Sequence, residues 1–437
     1  MRGPSKGTYV PKHSAKAKRA KQVVRNTQVK RESGDGPITV VGSAGNFMAG
    51  ENTKRNFSAR RRIAWILAGT CALCVLFCLV VPSSLLQIPL GQSSFAEFLH
   101  QMMNRAEALL AICMGQSGGF YGMLFVRVIV IAFAGAALGM CGAVYQGALG
   151  NGLASPNTLG VSSGASMGAA IFVLFLVPTV WEGESTLMSD ISMRLDALNP
   201  LEFLWFVYGR ALCAIALSFV VIVFILWLSG RIGKGRNASI VLIVCGTVIS
   251  TFFSSVQSLF TYYLQATGKA AELETLASAD PGTFGYIQSF TDLLLVCIPL
   301  MVIMAIVLIL RARMGLLTLD EAEALSLGIN VKGMRWAVMM LCTAMTAIVI
   351  AYCGSIGLIG FLVPHMARRL VGSDFRFLLP ASMFLGAILL LACNFVCGLF
   401  AVGYVADILS LATSVIGCVA FIVIAFGKRG DARGTWG

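Results

Sequence analysis

The chain has 437 residues, of which 57% are hydrophobic and 12% charged, whereas soluble domains run at about 45–50% and 25%. That balance argues against an ordinary cytosolic enzyme. The net charge of +13 does not mark a nucleic-acid binder either: residues 1–62 carry 15 Lys/Arg against 3 Asp/Glu, and residues 63–437 carry 18 against 17. The excess is a basic N-terminal arm on a nearly neutral, apolar body.

The arm, from MRGPSKGTYVPKHSAKAKRAKQ onward, is rich in Lys, Arg, Gly and Ser without a helical or strand period. It is expected to be disordered over 1–62 and to lie near anionic lipid, with no nucleic-acid partner. A polar lead this long, with no small-residue cleavage site after it, does not read as a signal peptide. Apolar runs long enough to cross a bilayer follow at 63–82, 128–148, 160–178, 209–229, 238–263, 291–310, 334–353, 376–400 and 407–427. A shorter run, 357–371, carries Arg368 and Arg369 near its end. The chain therefore reads as an all-α polytopic membrane protein of about ten transmembrane helices over 63–428, with a short C-terminal tail, 429–437.

Charge bias orients it. With the arm on the cytoplasmic side, the segments 231–236, 311–335, 368–376 and 428–433 are inner and total +8. The outer segments 83–126, 179–203 and 265–290 total −7, the asymmetry of the positive-inside rule. Both termini are then cytoplasmic. Segment 94–114 has helical spacing suited to a membrane-surface helix.

Chemistry-bearing residues are sparse. The 13 cysteines lie mostly in apolar runs without a metal-ligand spacing and read as small buried hydrophobes. His365 follows Pro364 and reads as a structural hydrogen-bonder, while Arg210, Asp292 and Asp407 fall near span ends. No chain of buried carboxylates or histidines suggests ion coupling, and no zinc, nucleophile-elbow or phosphate-loop motif is present. No catalytic group, metal site or resident cofactor is expected. An ion-coupled secondary transporter and a membrane-embedded enzyme are the readings this disfavours.

Glycines are more informative. Gly135 and Gly139, then Gly160, Gly164 and Gly168, recur at helical spacing, which makes small faces for close helix packing in lipid. GSIGLIGF (354–361) sets Gly354, Gly357 and Gly360 around a broken span, a feature that lines cavities or interfaces. The loop LLTLDEAEALSLGINVKGMR (316–335) places Asp320, Glu321 and Glu323 ahead of Leu325 and Leu327, with Gly328 as a stop. It suits either a docking helix or a solvated loop.

GAALGMCGAVYQGALGNGLASPNTLGVSSGASMG (135–168) and GSIGLIGFLVPHMARRLVGSDFRFLLPASMFLGA (354–387) resemble the two hallmark motifs of the FecCD-type ABC importer permeases. TLDEAEALSLGINV (318–331) resembles the family's intervening loop, and the similarity runs over about 64–428. The resemblance implies an ABC type II importer permease-like fold and a homodimer with the substrate path between the copies. It also implies two cytoplasmic ATPase subunits and an extracytoplasmic binding protein, in a bacterial cytoplasmic membrane. The cargo would be a ferric siderophore or related metal-chelate, with haem and cobalamin as alternatives. By the same resemblance, Asn151, Gly152, Leu153, Ala238 and Ser239 correspond to the cytoplasmic gate. The coupling segment maps to about 316–333, with Leu317, Asp320, Glu321, Glu323, Leu327 and Gly328. Gly357, Gly360, Pro364, His365 and Arg368 belong to the second hallmark.

The chain departs from the family in reading NGLA for NPLA and LFVR for RLPR, so that Arg127 is what remains of the outer basic positions that receive a binding protein. An acidic outer face then calls for a binding protein with basic lobe tips, or for a non-electrostatic dock that salt would not weaken. Association with the cognate binding protein is expected to weaken as salt rises, measured by titration at two ionic strengths.

Overall fold

The computed structural model describes residues 43–80, 103–104, 119–172, 175, 200–232, 238–268, 290–315, 331–400, 409, 412–419 and 422. The chain divides into Met1–Arg62 and Ile63–Gly437. All regular structure among the described residues is helical. In chain order the helices are α1 (Ser43–Val80), α2 (Gly119–Ala148), α3 (Val161–Ile171), α4 (Pro200–Ile232), α5 (Ala238–Ala266), α6 (Phe290–Met314), α7 (Val331–Cys353), α8 (Ile359–Val371) and α9 (Phe375–Phe400). Residues 412–419 add a further helical stretch.

Seven of these helices are long and apolar enough to cross a membrane: α1, α2, α4, α5, α6, α7 and α9. α3 and α8 are too short to do so alone. Of the expected span at 160–178, α3 covers Val161–Ile171, and Phe172 and Phe175 keep helical backbone, while residues 173–174 and 176–178 lie outside the described residues. The start of α3 is fixed by Gly160, whose φ of 68° breaks the helix ahead of Val161. One correction concerns the arm, because α1 begins at Ser43, inside the segment expected to lack structure. Between Ser43 and Arg62 no proline interrupts a run containing Ala, Met, Glu, Lys and Arg. A helix once nucleated in the apolar span therefore meets no stop on its N-terminal side.

α2 is the central element. It packs against α9, α7, α8 and α6, while α3, α4 and α5 pack on one another and reach the rest through α7. The Tyr145 and Thr343 hydroxyls, 2.8 Å apart, join α2 to α7, and Cys141 Sγ donates to the Cys342 carbonyl at 3.4 Å. Both polar groups are fully buried, and pairing them avoids an unsatisfied donor in an apolar interior.

Glycine decides how close the helices come. A Cβ at Gly135 would run into the Gly386 carbonyl of α9, and one at Gly386 would run into the Gly135 carbonyl. Gly139 faces the Ser382 carbonyl, and Gly168 the Cys213 carbonyl of α4. In lipid, burying apolar surface gives helices no reason to associate, so close backbone approach supplies the contact. The described cysteines are all free; most are buried or half-buried, but Cys418 is exposed, unlike the buried position expected of it. Cys113, the 94–114 segment apart from residues 103–104, and Asp407 lie outside the described residues.

Substituting Gly386→Leu is expected to destabilise the protein by at least about 1–3 kcal/mol, since backbone on both sides blocks relaxation. Gly69→Leu, at a position with nothing within 4 Å of the added carbon, should leave thermal unfolding in detergent unchanged.

Candidate functional site

The two sequence motifs meet in space. The α2–α3 loop, residues 149–160, lies against the α7–α8 break, residues 354–358. Between them is a cavity of about 270 Å³ lined by Leu153, Pro156, Asn157, Ile243, Leu358 and Phe361 among others.

The loop is stiffened by its own chemistry. Ser155 Oγ accepts the Thr158 N–H at 3.2 Å, and Thr158 Oγ1 accepts the Ser155 N–H at 2.8 Å. Together they form the reciprocal pattern that opens a helical turn, with Pro156 in the first position, where a missing N–H does no harm. The turn is carried by Leu159 N–H to the Ser155 carbonyl and Val161 N–H to the Pro156 carbonyl, and Gly160 ends it. Before the turn, Asn151 Oδ1 accepts the Leu153 N–H at 2.9 Å. Asn151 and Gly152 are half-buried, and Leu153 projects from the loop, 44% exposed. Ala238 and Ser239 open α5.

The break has a different origin. Gly354 (φ 72°) and Leu358 (φ 54°) both adopt left-handed backbone, which a leucine avoids at a cost of about 1–2 kcal/mol. Leu358 is held there by its surroundings: a Cβ on Gly417 would lie 2.8 Å from Leu358 Cβ, and Gly357 abuts Ser414. Gly360 sits where a Cβ would be 2.9 Å from Pro156 Cδ, and its carbonyl meets Gly142 of α2. Pro364 has no N–H to offer the Gly360 carbonyl, so α8 opens at that point. His365 Nδ1 donates to the Phe361 carbonyl at 2.9 Å, and the two rings lie 5.0 Å apart. At the end of α8, Gly372 N–H bonds the Arg368 carbonyl at 2.9 Å, and Asp374 caps α9 through its side chain and carbonyl.

Side chains cross from loop to break and to α5. Gln146 Nε2 donates to the Phe361 carbonyl at 3.2 Å, and Asn157 Nδ2 to the Ile356 carbonyl at 3.4 Å. Asn157 Oδ1 accepts from Ser162 Oγ. Ser163 Oγ donates to Ser250 Oγ at 3.1 Å, and Ser250 Oγ donates to the Asn157 carbonyl at 3.4 Å. Gly246 lets α5 approach the Thr158 and Leu159 backbone.

α5 also turns a long face outward. Thr247, Thr251, Ser254, Ser255 and Ser258 are exposed and share one stripe with exposed Tyr262. Beside it runs an apolar stripe of Val248, Phe252, Leu259 and Tyr263. Four of the hydroxyls, those of Thr247, Thr251, Ser255 and Ser258, bond back to helix carbonyls three or four residues earlier, which lets them stand in a partly apolar environment. No charged residue occurs in α5.

The other expected site residues are more scattered. Gly135, Gly139, Gly164 and Gly168 lie at helix–helix contacts away from the cavity, with Gly164 against Val221. Arg127 lies inside α2, half-buried, with Nε and Nη2 shielded from solvent. Arg210 is buried in α4. Leu317, Asp320, Glu321, Glu323, Leu327 and Gly328 fall outside the described residues. Gln146, Asn157, Gly246 and Ser250 were not singled out from the sequence. Gly246 had a signal, since a glycine amid β-branched residues weakens a helix unless something must pass close by.

The pattern that defines the FecCD transport family matches residues 66–426. The molybdate import system permease protein of Haemophilus influenzae is 28% identical over 305 residues, covering 70% of this chain and 80% of that protein. The hemin transport system permease protein of Yersinia pestis is 28% identical over 270 residues, 61% of this chain and 71% of that one. The iron-uptake system permease protein FeuC of Bacillus subtilis is 26% identical over 276 residues, 63% and 74%. Among solved structures, a chain described as a metal-chelate type ABC transporter in an inward-facing conformation superposes with a TM-score of 0.60 at 23% identity, covering 85% of this chain and all of that one.

Thr158→Val keeps side-chain size but removes the hydroxyl that accepts from Ser155 N–H. Amides of residues 153–158 are expected to exchange about fivefold faster, read by hydrogen-exchange mass spectrometry.

Proposed function

The chain belongs to the FecCD transport family, and from that membership we propose that it is the permease subunit of an ABC importer carrying a ferric siderophore or related metal-chelate across a bacterial cytoplasmic membrane. Haem and iron relatives support this cargo class. The observation that carries the reading is the outward face of α5. A row of hydroxyls beside an apolar stripe is unsuited to lipid alone, and it fits a homodimer in which the apolar stripe meets the second copy and the hydroxyls line a path between the two.

That path has no Lys or Arg on α5. A bare oxyanion such as molybdate would find no counter-charge on this helix, whereas a chelate whose ligands already neutralise the metal needs only hydroxyls and apolar surface. The molybdate relative therefore guides the fold of this chain more than its cargo.

The remaining roles are assigned on the same reading. Asn151, Gly152 and Leu153, with Ala238 and Ser239, form the gate, and a stiff loop presenting one exposed leucine suits a closable mouth. Segment 316–333 takes the motion of two separate ATPase subunits through Leu317, Asp320, Glu321, Glu323, Leu327 and Gly328. ATP hydrolysis belongs to those subunits. An extracytoplasmic binding protein delivers the cargo to the acidic face, and Arg127 is the residue assigned to its docking. Residues 63–428 make up the permease, and both termini are cytoplasmic.

In proteoliposomes holding this chain, its cognate ATPase and its binding protein, uptake of a ferric hydroxamate chelate is expected to require ATP, and molybdate is expected to be left behind. Haem and cobalamin in the same assay separate the cargoes. Uptake driven by a proton gradient with the ATPase omitted would overturn the reading in favour of secondary transport.

A further inference from the structure

Two carboxamide side chains bracket the α2–α3 loop, and the two carbonyls they hold bracket the strained turn of the α7–α8 break. Gln146 stands just before the loop and donates to the Phe361 carbonyl; Asn157 stands near its end and donates to the Ile356 carbonyl. Between those carbonyls lies Leu358, with its left-handed backbone. We propose that Gln146 and Asn157 are positioning residues that clamp the loop to the break, so that the two shift as one body when the gate opens and closes. The proposal rests on the transport reading for its purpose, and on the geometry alone for the clamp.

The two halves of the clamp differ physically. Gln146 is 2% exposed, so its bond is made in an apolar interior, where an amide donor cannot turn to water instead. The Phe361 carbonyl it reaches also accepts from His365 Nδ1, and Pro364 already interrupts the helix ladder there. Gln146 thus ties α2 to the first turn of α8, one residue beyond the Gly360 carbonyl that Pro364 leaves without a helix donor. Asn157 is exposed, and its bond to Ile356 is long. It is the weaker of the two ties. Its own carbonyl is tied to α5 through Ser250, which brings the outward-facing helix into the same assembly.

The cavity gives the clamp room to work. It lies between the loop and the break, is lined by Leu153, Asn157, Leu358 and Phe361, and is mostly apolar. Interiors this close-packed do not deform continuously, so a void beside the clamped pair leaves room for the two to shift together. On the far side, Gly357 and Leu358 press on Ser414 and Gly417 of the 412–419 helix. Movement of the loop would therefore reach that helix through the break.

The test uses hydrogen exchange in two settings. On the purified chain alone, Gln146→Met with Asn157→Ala is expected to raise exchange at residues 354–362 about tenfold, while α9, to which neither side chain bonds, keeps wild-type protection. Asn157→Asp retains the acceptor for Ser162 and loses the donor to Ile356, and it should loosen the break while leaving residues 158–163 protected. In the reconstituted complex, trapping with ATP and vanadate should change exchange in both 149–158 and 354–362 for the wild type. In the double variant only the loop should respond, with ATP hydrolysis retained. Unchanged exchange at 354–362 in the variant chain alone would overturn the clamp, whatever the complex does. A wild-type complex in which ATP changes neither segment would overturn the transport reading and the clamp's purpose with it.

Discussion

Everything in this structure depends on how closely helix backbones approach one another at glycine. Gly135 against Gly386, Gly142 against Gly360, Gly246 against Thr158 and Gly168 against Cys213 are each contacts that a single methyl group would forbid. In water such pairs would be incidental to a hydrophobic core. In lipid the tails are as apolar as leucine, so packing and hydrogen bonds must hold the helices without that drive. Two of the four contacts, Gly142–Gly360 and Gly246–Thr158, lie at the edges of the cavity. The constraint that assembles the bundle therefore also brings the loop, the break and α5 together.

This explains why the two sequence motifs, far apart along the chain, form one site. The first supplies a small face on α2 and a self-capped turn; the second supplies a broken helix that needs such a face to settle against. Leu358 shows the dependence well. A leucine with φ of 54° is unfavourable in isolation and persists only where neighbours over-determine it. Here Gly417 abuts Leu358 itself, while Ser414 abuts Gly357 and Asn157 holds the Ile356 carbonyl on the preceding side.

Much of the fold was legible in the sequence because length and apolarity alone specify a spanning helix. The runs at 238–263, 291–310, 334–353 and 376–400 match α5, α6, α7 and α9 closely, and the break before α8 was visible in its glycines. The failures have physical causes. The arm's polar residues hid a helix that runs on from the span, because Glu51, Lys54, Arg55 and Arg60 to Arg62 favour a helix once one is started and no proline stops it. Glycine spacing identified packing faces but could not say what would fill them, because the partners lie on other helices, Cys213 of α4 for Gly168 and Gly386 of α9 for Gly135. The α5 stripe of Thr247, Thr251, Ser254, Ser255 and Ser258 was readable as a helical period, yet it takes meaning only when the structure leaves it uncovered.

The absence of charge from that stripe bears on how selection and motion divide between parts of the protein. A path lined by fixed charges would hold an oppositely charged cargo and slow its release. Hydroxyls whose protons are already engaged with their own helix carbonyls offer lone pairs and little pull. Such a surface recognises weakly along its whole length, and discrimination must then come from what admits the cargo at the outer face and from when the gate opens. On the proposed reading of the α2–α3 loop as the gate, its build suits timing of that kind. The loop is rigid within itself, capped at Ser155 and stopped at Gly160, with Ala154 and Leu159 buried and Thr158 packed against Gly246 of α5. A part that is stiff inside and tied to its neighbours moves with them between discrete positions, which is what an energy source acting from one side of the membrane would require.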